Sequence, residues 1–218
     1  LYNLYAGSKK NDFVLIDTYS TNNFYVTAIS ALLCKYLNVR YIPILHGGNL
    51  EYRLKNNFRL CNFIFKNSFV NVTPSIFLEK IFYNFGFNTL TIENCINISD
   101  YKFLPRWSNL EPNILWVRSF DDIYNPSMAI RVLVELKKKY KDAKLCMIGP
   151  AKDQSLEHCK SLVEEKLLSD SVLFPGQMNK TEWINLSKTY SIFINTTNYD
   201  NLPVSVIEVM ALGLPIVS

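Results

Sequence analysis

The residues of this sequence that could do chemistry are concentrated in one polar loop and the helix that follows it. The segment Asn195–Ser218 predicts a strand, a loop and a helix, and Pro203 suits the first helical turn. The backbone N–H groups near Val204 and Ser205, with the Ser205 hydroxyl, would then form an anion site at a helix N-terminus. The sequence therefore predicts a phosphate-binding site at this point.

Two carboxylates flank the predicted phosphate site. Asp200 lies in the loop, and Glu208 lies about one turn inside the helix. Carboxylates beside a phosphate site are suited to accept hydrogen bonds from the hydroxyls of a sugar or a ribose. The alternative is that Asp200 is only a turn residue and Glu208 an ordinary helix residue. The residues alone leave both interpretations open.

Several other kinds of site are absent from the sequence. Neither G-x-G-x-x-G after a strand nor G-x-x-x-x-G-K-[ST] occurs, which argues against a dinucleotide fingerprint and an ATPase-type phosphate loop. No G-x-S-x-G elbow is present. The two histidines, His46 and His158, belong to no His/Cys/Asp cluster with metal-ligand spacing, so we expect no protein-built metal site. His158 is expected to be exposed on a helix.

The elements that must position these residues alternate in the second half of the chain. Short apolar runs are separated by helical patterns over about residues 127–140, 155–168, 180–189 and 204–212. The predicted strands are Ile114–Val117, Lys144–Ile148, Val172–Phe174, Ser191–Asn195 and Pro215–Val217. Such strands are typical of a parallel, doubly wound sheet with helices on both faces and ligands beyond the strands' carboxyl ends.

The first half of the chain shows the same alternation. Helical patterns cover about residues 23–37, 50–66 and 75–85. The predicted strands are Phe13–Ile16, Tyr41–Leu45, Phe69–Val72 and Thr89–Ile92. Residues 99–113 contain two prolines and no periodicity, which predicts a linker. We therefore expect an α/β protein with two Rossmann-like domains, residues 1–106 and 107–218, that face a cleft and are both truncated.

Composition narrows the class of protein. The chain has 218 residues, of which 49% are hydrophobic and 19% charged, as is typical of a globular protein. No apolar run approaches the roughly 18 to 20 residues that span a bilayer, and the first residues lack the pattern of a signal peptide. The five cysteines are scattered and odd in number, which favours reduced, mostly buried thiols and a cytoplasmic location.

Positive charge is concentrated in the first half of the chain. Residues 1–106 hold 11 basic and 6 acidic residues, whereas residues 107–218 hold 12 and 13. The basic half could meet an anionic membrane surface, which would make the protein peripheral on the inner face of the membrane. It could also meet a phosphorylated substrate, or be only a solvated face. One predicted helix stretch places three basic side chains on one face, with phenylalanines that could insert or be core: Lys55, Arg59 and Lys66, with Phe58, Phe63 and Phe65.

Taken together, the motifs resemble a known family of enzymes. Asp200, seven further residues and Glu208, followed by Ala211-Leu-Gly-Leu-Pro-Ile-Val217, resemble the donor-site signature of the retaining GT-B glycosyltransferases of group 1 (family four). Further segments fall in the family's order: Pro43–Gly48, Thr73–Ser75, Ile92–Ile96, Trp116–Phe120, Met147–Pro150 and Phe174–Gly176. The resemblance therefore covers most of the chain.

The resemblance implies a retaining, metal-independent transfer of a sugar from a nucleotide-diphosphate sugar to a glycan or lipid-linked acceptor. No cofactor and no nucleic acid partner is implied. Glu208 would bind the ribose hydroxyls and Asp200 the hydroxyls of the donor sugar, while Arg118 would neutralise charge on the diphosphate. Backbone groups of Leu202, Pro203, Val204 and Ser205 would surround the diphosphate.

The resemblance also assigns roles to the loop after the second predicted strand. His46 would contact the donor sugar or the reacting centre, and Gly47 and Gly48 would permit a close backbone approach. An alternative for His46 is a loop histidine held by its neighbours. His46, Asp200 and Arg118 are thus the predicted catalytic residues.

Two departures from the family pattern affect these expectations. The first acidic position is usually a glutamate but is Asp200 here, one methylene shorter, so sugar preference could differ. The lysine usually found shortly after the arginine is missing, because Arg118 is followed by Asp121–Pro126 and no lysine occurs before Lys137. Two alternatives remain: a GT-B epimerase or phosphorylase acting on nucleotide sugars, and a non-catalytic module that binds them.

Overall fold

The computed structural model describes residue 7, residues 11–106 and residues 111–218. Contacts divide the chain into two compact units. The first extends through Asn94 and includes Asp200–Leu202, and the second comprises Cys95–Tyr199 and Pro203–Ser218. The division into domains at residues 106 and 107 stays a prediction.

The first unit is built on a four-stranded parallel sheet in the order β1-β2-β3-β4. Its elements in chain order are β1 (Phe13–Thr18), α1 (Asn23–Tyr36), β2 (Arg40–Leu45), α2 (Leu50–Asn56), α3 (Phe58–Lys66), β3 (Asn71–Thr73), α4 (Ile76–Asn84) and β4 (Thr89–Thr91). Strands β1 and β2 are paired along their whole length, so that Thr18 lies beside Leu45. Residues that follow these two strands therefore meet at one edge of the sheet.

The prediction of a single helix over residues 50–66 is wrong, because the helix is interrupted at Asn57. Asn57 has φ −127° and ψ 37°, which ends α2 and begins α3. Lys55 therefore lies on a different helix from Arg59 and Lys66, so the helical spacing that predicted one shared face does not apply. Phe65 is 3% exposed within the core, so it is not available for membrane insertion.

The core of the first unit is rich in aromatic rings. Phe65 packs edge-on against Phe82, with ring centroids 4.9 Å apart, and against Phe87 at 5.6 Å. Such edge-to-face arrangements add to the stabilisation that burial of the rings provides. The three rings contribute to the core that supports this unit's sheet.

The second unit contains a five-stranded parallel sheet in the order β7-β6-β5-β8-β9. Its helices and strands are β5 (Asn113–Val117), α5 (Pro126–Lys139), β6 (Lys144–Ile148), α6 (Ser155–Glu165), β7 (Val172–Gly176), α7 (Lys180–Ser187), β8 (Ile192–Ile194), α8 (Val204–Ala211) and β9 (Ile216–Val217). Short 3₁₀ turns cover Ile98–Asp100 and Asp122–Tyr124. The two sheets confirm the predicted α/β class with parallel strands.

Helices cover both faces of this second sheet. Adjacent residues of a strand point to opposite faces, so neighbouring residues of β5 show which helix packs on each side. Trp116 belongs to a core cluster with Ile130 of α5, whereas Leu115 belongs to another with Val209 of α8. The strand order reverses between β5 and β8: the chain first adds β6 and β7 on one side, then β8 and β9 on the other. In open α/β sheets, ligands bind at this switch point, beyond the carboxyl ends of the strands.

Part of the predicted linker is packed onto the second unit. Tyr101 is 6% exposed in its core, and Arg106 Nη1 donates to the Leu212 carbonyl at 2.7 Å. Residues 107–110 of the predicted linker lie outside the described residues. The segment after Ile98–Asp100 is therefore an integral part of this unit.

The five cysteines are all free thiols, as predicted. Four are buried and Cys95 is exposed. Burial raises the pKa of Cys61 to about 12 and that of Cys159 to about 11, so both stay protonated at neutral pH. In the described part of the chain, no helix is long and apolar enough to cross a membrane.

Candidate functional site

Arg118 stands at the carboxyl end of β5, directly at the switch point of the second sheet. Its backbone N–H donates to the Ile148 carbonyl at 3.0 Å, and a Cβ atom at Gly149 would lie only 1.7 Å from the Arg118 carbonyl oxygen. Glycine at position 149 is thus required for β6 to end beside Arg118. Burial lowers the pKa of the Arg118 guanidinium, but this group remains charged at neutral pH.

The segment after Arg118 places an aromatic ring against the guanidinium. The guanidinium carbon of Arg118 lies 4.7 Å from the centroid of the Tyr124 ring, a cation–π contact. Thr196 Oγ1, from the loop after β8, donates to the Tyr124 carbonyl at 2.7 Å. Trp116 Nε1 donates to the same threonine oxygen at 3.0 Å, so the turn is tied to both strands of the switch point.

Helix α8 begins at Val204, directly after the same loop, where the sequence predicts a helix start. Pro203 precedes the helix rather than occupying its first turn, and its carbonyl accepts from the amides of Val206 and Ile207. The amides of Val204 and Ser205 are the ones for which the helix supplies no acceptor. The Ser205 hydroxyl is buried and has no hydrogen-bond partner among the described residues. This helix end can therefore bind an anion.

Glu208 lies further along α8 and is held by a residue that no motif indicated. The hydroxyl of Tyr101 donates to Glu208 Oε1 at 2.6 Å. Lys180 Nζ lies 4.7 Å from the centroid of the Tyr101 ring and 3.0 Å from Asp100 Oδ2. Glu208 is therefore part of a hydrogen-bonded group within the second unit rather than an isolated helix residue.

In the first unit, His46 follows β2 and meets the end of β1. Its Nε2 atom lies 2.9 Å from Asp17 Oδ1, and its ring stacks on Tyr19 with centroids 5.4 Å apart. The His46 backbone N–H donates to the Thr18 carbonyl at 2.9 Å. The backbone of β1 and two side chains thus fix both the position and the plane of the imidazole.

The two glycines after His46 permit close approaches that a side chain would prevent. A Cβ atom at Gly47 would lie 2.5 Å from the Ser20 backbone nitrogen, and one at Gly48 would lie 2.7 Å from the Asp200 Cα. Asp200 Oδ1 accepts from the Asn201 amide at 2.7 Å, as a turn residue does. The Leu202 carbonyl accepts from Asn94 Nδ2 at 2.9 Å. Asp200–Leu202 thus belong to the first unit by contact.

The structure gathers the predicted site residues in two groups. Within the second unit, the ends of β5 and β8 bring Arg118 to the same sheet edge as the loop that leads to Val204 and Ser205, with Glu208 on the same helix. Within the first unit, His46, Gly47 and Gly48 follow β2, and Gly48 contacts Asp200. His158 is exposed, as predicted. The described residues include no group of three or more His, Cys, Asp and Glu that could hold a metal ion.

Four site residues were missed by sequence reasoning: Asp17, Tyr19, Tyr101 and Tyr124. A signal existed for the first two, because they stand at the end of a predicted strand whose neighbour ends at His46. Tyr124 lies in the segment already noted for its missing lysine. Tyr101 gave no signal, since its segment has neither periodicity nor a motif.

Comparison with known proteins adds a family assignment. The family model for "Glycosyl transferases group 1" matches residues 99–218, more than half of the chain. An uncharacterized glycosyltransferase of Haemophilus influenzae is 35% identical over 89 residues, which are 41% of this chain and 24% of that protein. The chain thus spans about a quarter of this relative's length.

Solved glycosyltransferase structures share the fold. Sucrose-phosphate synthase from Thermosynechococcus elongatus superposes with a TM-score of 0.75 at 17% identity, over 99% of this chain and 57% of its own. HepE of Anabaena, in complex with UDP-glucose, superposes with a TM-score of 0.76 at 14% identity, over 99% of this chain and 61% of its own. At these identities the likeness establishes the fold, which is that of the GT-B glycosyltransferases.

Proposed function

Because the chain belongs to the group 1 glycosyl transferases, we propose that it transfers a sugar from a nucleoside diphosphate sugar to an acceptor hydroxyl with retention of configuration. The observation that carries this proposal is the N-terminus of α8 at the switch point of the second sheet. There, the buried Ser205 hydroxyl has no hydrogen-bond partner among the described residues, and Glu208 follows on the same helix.

The donor diphosphate is proposed to bind between Arg118 and the start of α8. The amides of Val204 and Ser205 and the Ser205 hydroxyl would donate to phosphate oxygens, and the guanidinium would neutralise their charge. The Tyr124 ring supports Arg118 on one face. These groups supply charge stabilisation without a metal ion, which is why we propose metal-independent transfer.

The two carboxylates are proposed to bind the sugar hydroxyls of the donor. Glu208 would accept from the ribose hydroxyls, because its carboxylate lies on the helix whose N-terminus receives the diphosphate. Asp200 would accept from a hydroxyl of the transferred sugar. His46 would contact that sugar or the reacting centre, with Asp17 and Tyr19 holding its ring.

Retention implies a defined exchange of bonds. The bond between the anomeric carbon and the β-phosphate oxygen breaks, and a bond between that carbon and the acceptor oxygen forms on the same face. The acceptor proton passes to the departing diphosphate. Arg118 and the helix N-terminus would stabilise the charge that develops on that diphosphate, while His46 and Asp200 would orient the sugar.

The first donor to test is UDP-glucose, because the Anabaena protein HepE was solved with it. A glycan or a lipid-linked glycan is the proposed acceptor class, and the basic first half supports an acceptor at an anionic membrane surface. In that case the protein would associate with the membrane from the cytoplasmic side and contribute to polysaccharide synthesis.

The proposal is tested by incubating the chain with UDP-, ADP- and GDP-sugars, with and without an acceptor mixture and EDTA. We expect release of the nucleoside diphosphate that depends on acceptor, persists in EDTA and yields a product with the donor's anomeric configuration by NMR. Nucleotide binding with neither transfer nor hydrolysis would favour a non-catalytic binding module. Conversion of the donor sugar to its epimer, or release of a sugar phosphate in phosphate buffer, would favour the epimerase or phosphorylase.

A further inference from the structure

Glu208 is engaged by a buried tyrosine that the family signature does not include. We propose that Tyr101 is a positioning residue that holds the Glu208 carboxylate ready for the ribose hydroxyls of the donor nucleotide. The inference rests on the proposed function, since it takes the ribose as the ligand of Glu208. Its basis is the 2.6 Å hydrogen bond from the Tyr101 hydroxyl to Glu208 Oε1.

The Tyr101 ring is fixed independently of this hydrogen bond. It is 6% exposed and belongs to the same core cluster as Val209 and Leu212, which flank the end of α8, and Trp183 of α7. The ring and the helix that carries Glu208 are therefore parts of one packed core. A hydroxyl on such a ring has a fixed position relative to the helix, so it can define the rotamer of the glutamate.

The Tyr101 hydroxyl is kept in its donating form. Burial raises the pKa of Tyr101, and the hydrogen bond to Glu208 raises it further, whereas nearby Lys180 acts in the opposite direction. The net shift is upward, so the phenol retains its proton at neutral pH and donates to the carboxylate. The Lys180 ammonium group lies over the face of the Tyr101 ring and forms an ion pair with Asp100.

Fixing one carboxylate oxygen affects how the other can be used. The bond engages Oε1 and leaves Oε2 as the oxygen that can face ligand hydroxyls without competition from Tyr101. A free glutamate side chain loses rotamer entropy when it binds a ligand, and a carboxylate held in advance loses less. Removal of the tyrosine hydroxyl should therefore weaken recognition of the ribose and leave other parts of the nucleotide unaffected.

The test compares ribonucleotides with their 2′-deoxy counterparts by calorimetry on the 218-residue chain. The probes are UDP, ADP and GDP, each paired with its 2′-deoxy form, and the pair that binds most tightly is used. Tyr101→Phe keeps the ring and removes only the hydroxyl. We expect it to reduce the preference for the ribonucleotide by about threefold to tenfold, as the loss of one hydrogen bond implies, with little change for the deoxynucleotide.

Three further variants make the result specific. Glu208→Ala should remove the ribose preference by itself, and Tyr101→Phe should have no further effect on that preference in the Glu208→Ala background. Tyr140→Phe, which removes a hydroxyl from an exposed tyrosine at the end of α5, should change nothing. In transfer assays, Tyr101→Phe should raise the KM for the donor while kcat stays within about twofold, because the ribose contact is made equally in the ground state and the transition state.

Each contrary outcome has a distinct meaning. Equal weakening of the ribo- and deoxynucleotide in Tyr101→Phe would show a purely structural role and overturn the inference. An unchanged preference in Tyr101→Phe, with a lost preference in Glu208→Ala, would overturn the inference and leave the proposed function intact. An unchanged preference in both variants would overturn the ribose role of Glu208. Failure of every nucleotide pair to bind would overturn the proposed function together with this inference.

Discussion

The Nε2 atom of His46 lies 2.9 Å from Oδ1 of Asp17, across the ends of two paired parallel strands. The pair is open to solvent, because the Asp17 side chain is 67% exposed and that of His46 35%. An exposed ion pair or hydrogen bond contributes little to folding stability. The pair restrains the orientation of the imidazole, which the stacked Tyr19 ring also holds.

This geometry predicts that Asp17 matters for transfer and not for affinity toward the nucleoside diphosphate. Asp17→Ala should lower kcat about 10- to 100-fold, the range expected when a group at the reacting centre is misoriented. Affinity for the nucleoside diphosphate, measured by calorimetry, should stay unchanged, since that ligand lacks the transferred sugar, which is the group that His46 would contact. Asp12→Ala, which removes an exposed carboxylate one residue before β1, is the matched control. Equal kcat in both variants would contradict a role for the pair.

Sequence motifs predicted the elements of the site better than its internal contacts. The order of the motifs placed Arg118, Ser205 and Glu208 correctly relative to strands and helices, because strand ends and helix starts are local properties. The partner of Glu208 could not be found in the same way. Tyr101 is about a hundred residues away in the chain, and only packing of the predicted linker brings it to α8.

The break between α2 and α3 illustrates a second limit. Residues 50–66 have helical periodicity throughout, yet the backbone leaves the helical region at Asn57. Asparagine competes with the helix through its own side chain, and Arg53 Nη1 donates to Asn57 Oδ1 at 3.3 Å. A propensity this weak does not decide the break by itself, so the periodicity of the sequence could not locate it.

The second prediction concerns the contribution of Glu208 to the protein's affinity for the donor nucleotide. Glu208→Ala should weaken binding of a nucleoside diphosphate by about 1.5 to 3 kcal/mol, the range for a hydrogen bond to a charged group. Binding should persist in EDTA, since Arg118 and α8 supply the charge. Glu164→Ala, on an exposed position of α6, should have no effect. Loss of binding in EDTA with full binding by Glu208→Ala would refute the site assignment.

The third prediction separates charge from packing at Arg118. Arg118→Ala should weaken binding of the nucleoside diphosphate and spare the nucleoside, because the guanidinium acts on the phosphates. Retained nucleoside affinity also shows that the variant is folded. Arg131→Ala, which removes an exposed cation from α5, is the control. Equal losses for both ligands would indicate that Arg118 has a structural role.

The fourth prediction concerns Gly149, which allows β6 to end against the Arg118 peptide. Gly149→Ala should reduce the free energy of unfolding by about 1 to 3 kcal/mol, because the new Cβ would overlap the Arg118 carbonyl. Gly86→Ala is a matched control, since Gly86 also has positive φ but no atom within 4 Å of an added Cβ. Urea denaturation measures both variants. A similar loss of unfolding free energy in the two variants would show that backbone strain alone, and not overlap with the Arg118 carbonyl, causes the destabilisation.

The fifth prediction tests whether the basic first half meets a membrane. The chain should float with vesicles that contain phosphatidylserine at low salt and be released at high salt, since each basic residue near an anionic surface contributes about 1 kcal/mol. Reversing the charge of Arg59 and Lys66, both exposed on α3, should weaken flotation, whereas reversing Lys138 and Lys139 on α5 should not. Phe65 cannot contribute by insertion, because it is buried in the core. A chain that stays unbound at low salt would favour a soluble acceptor and a solvated basic face.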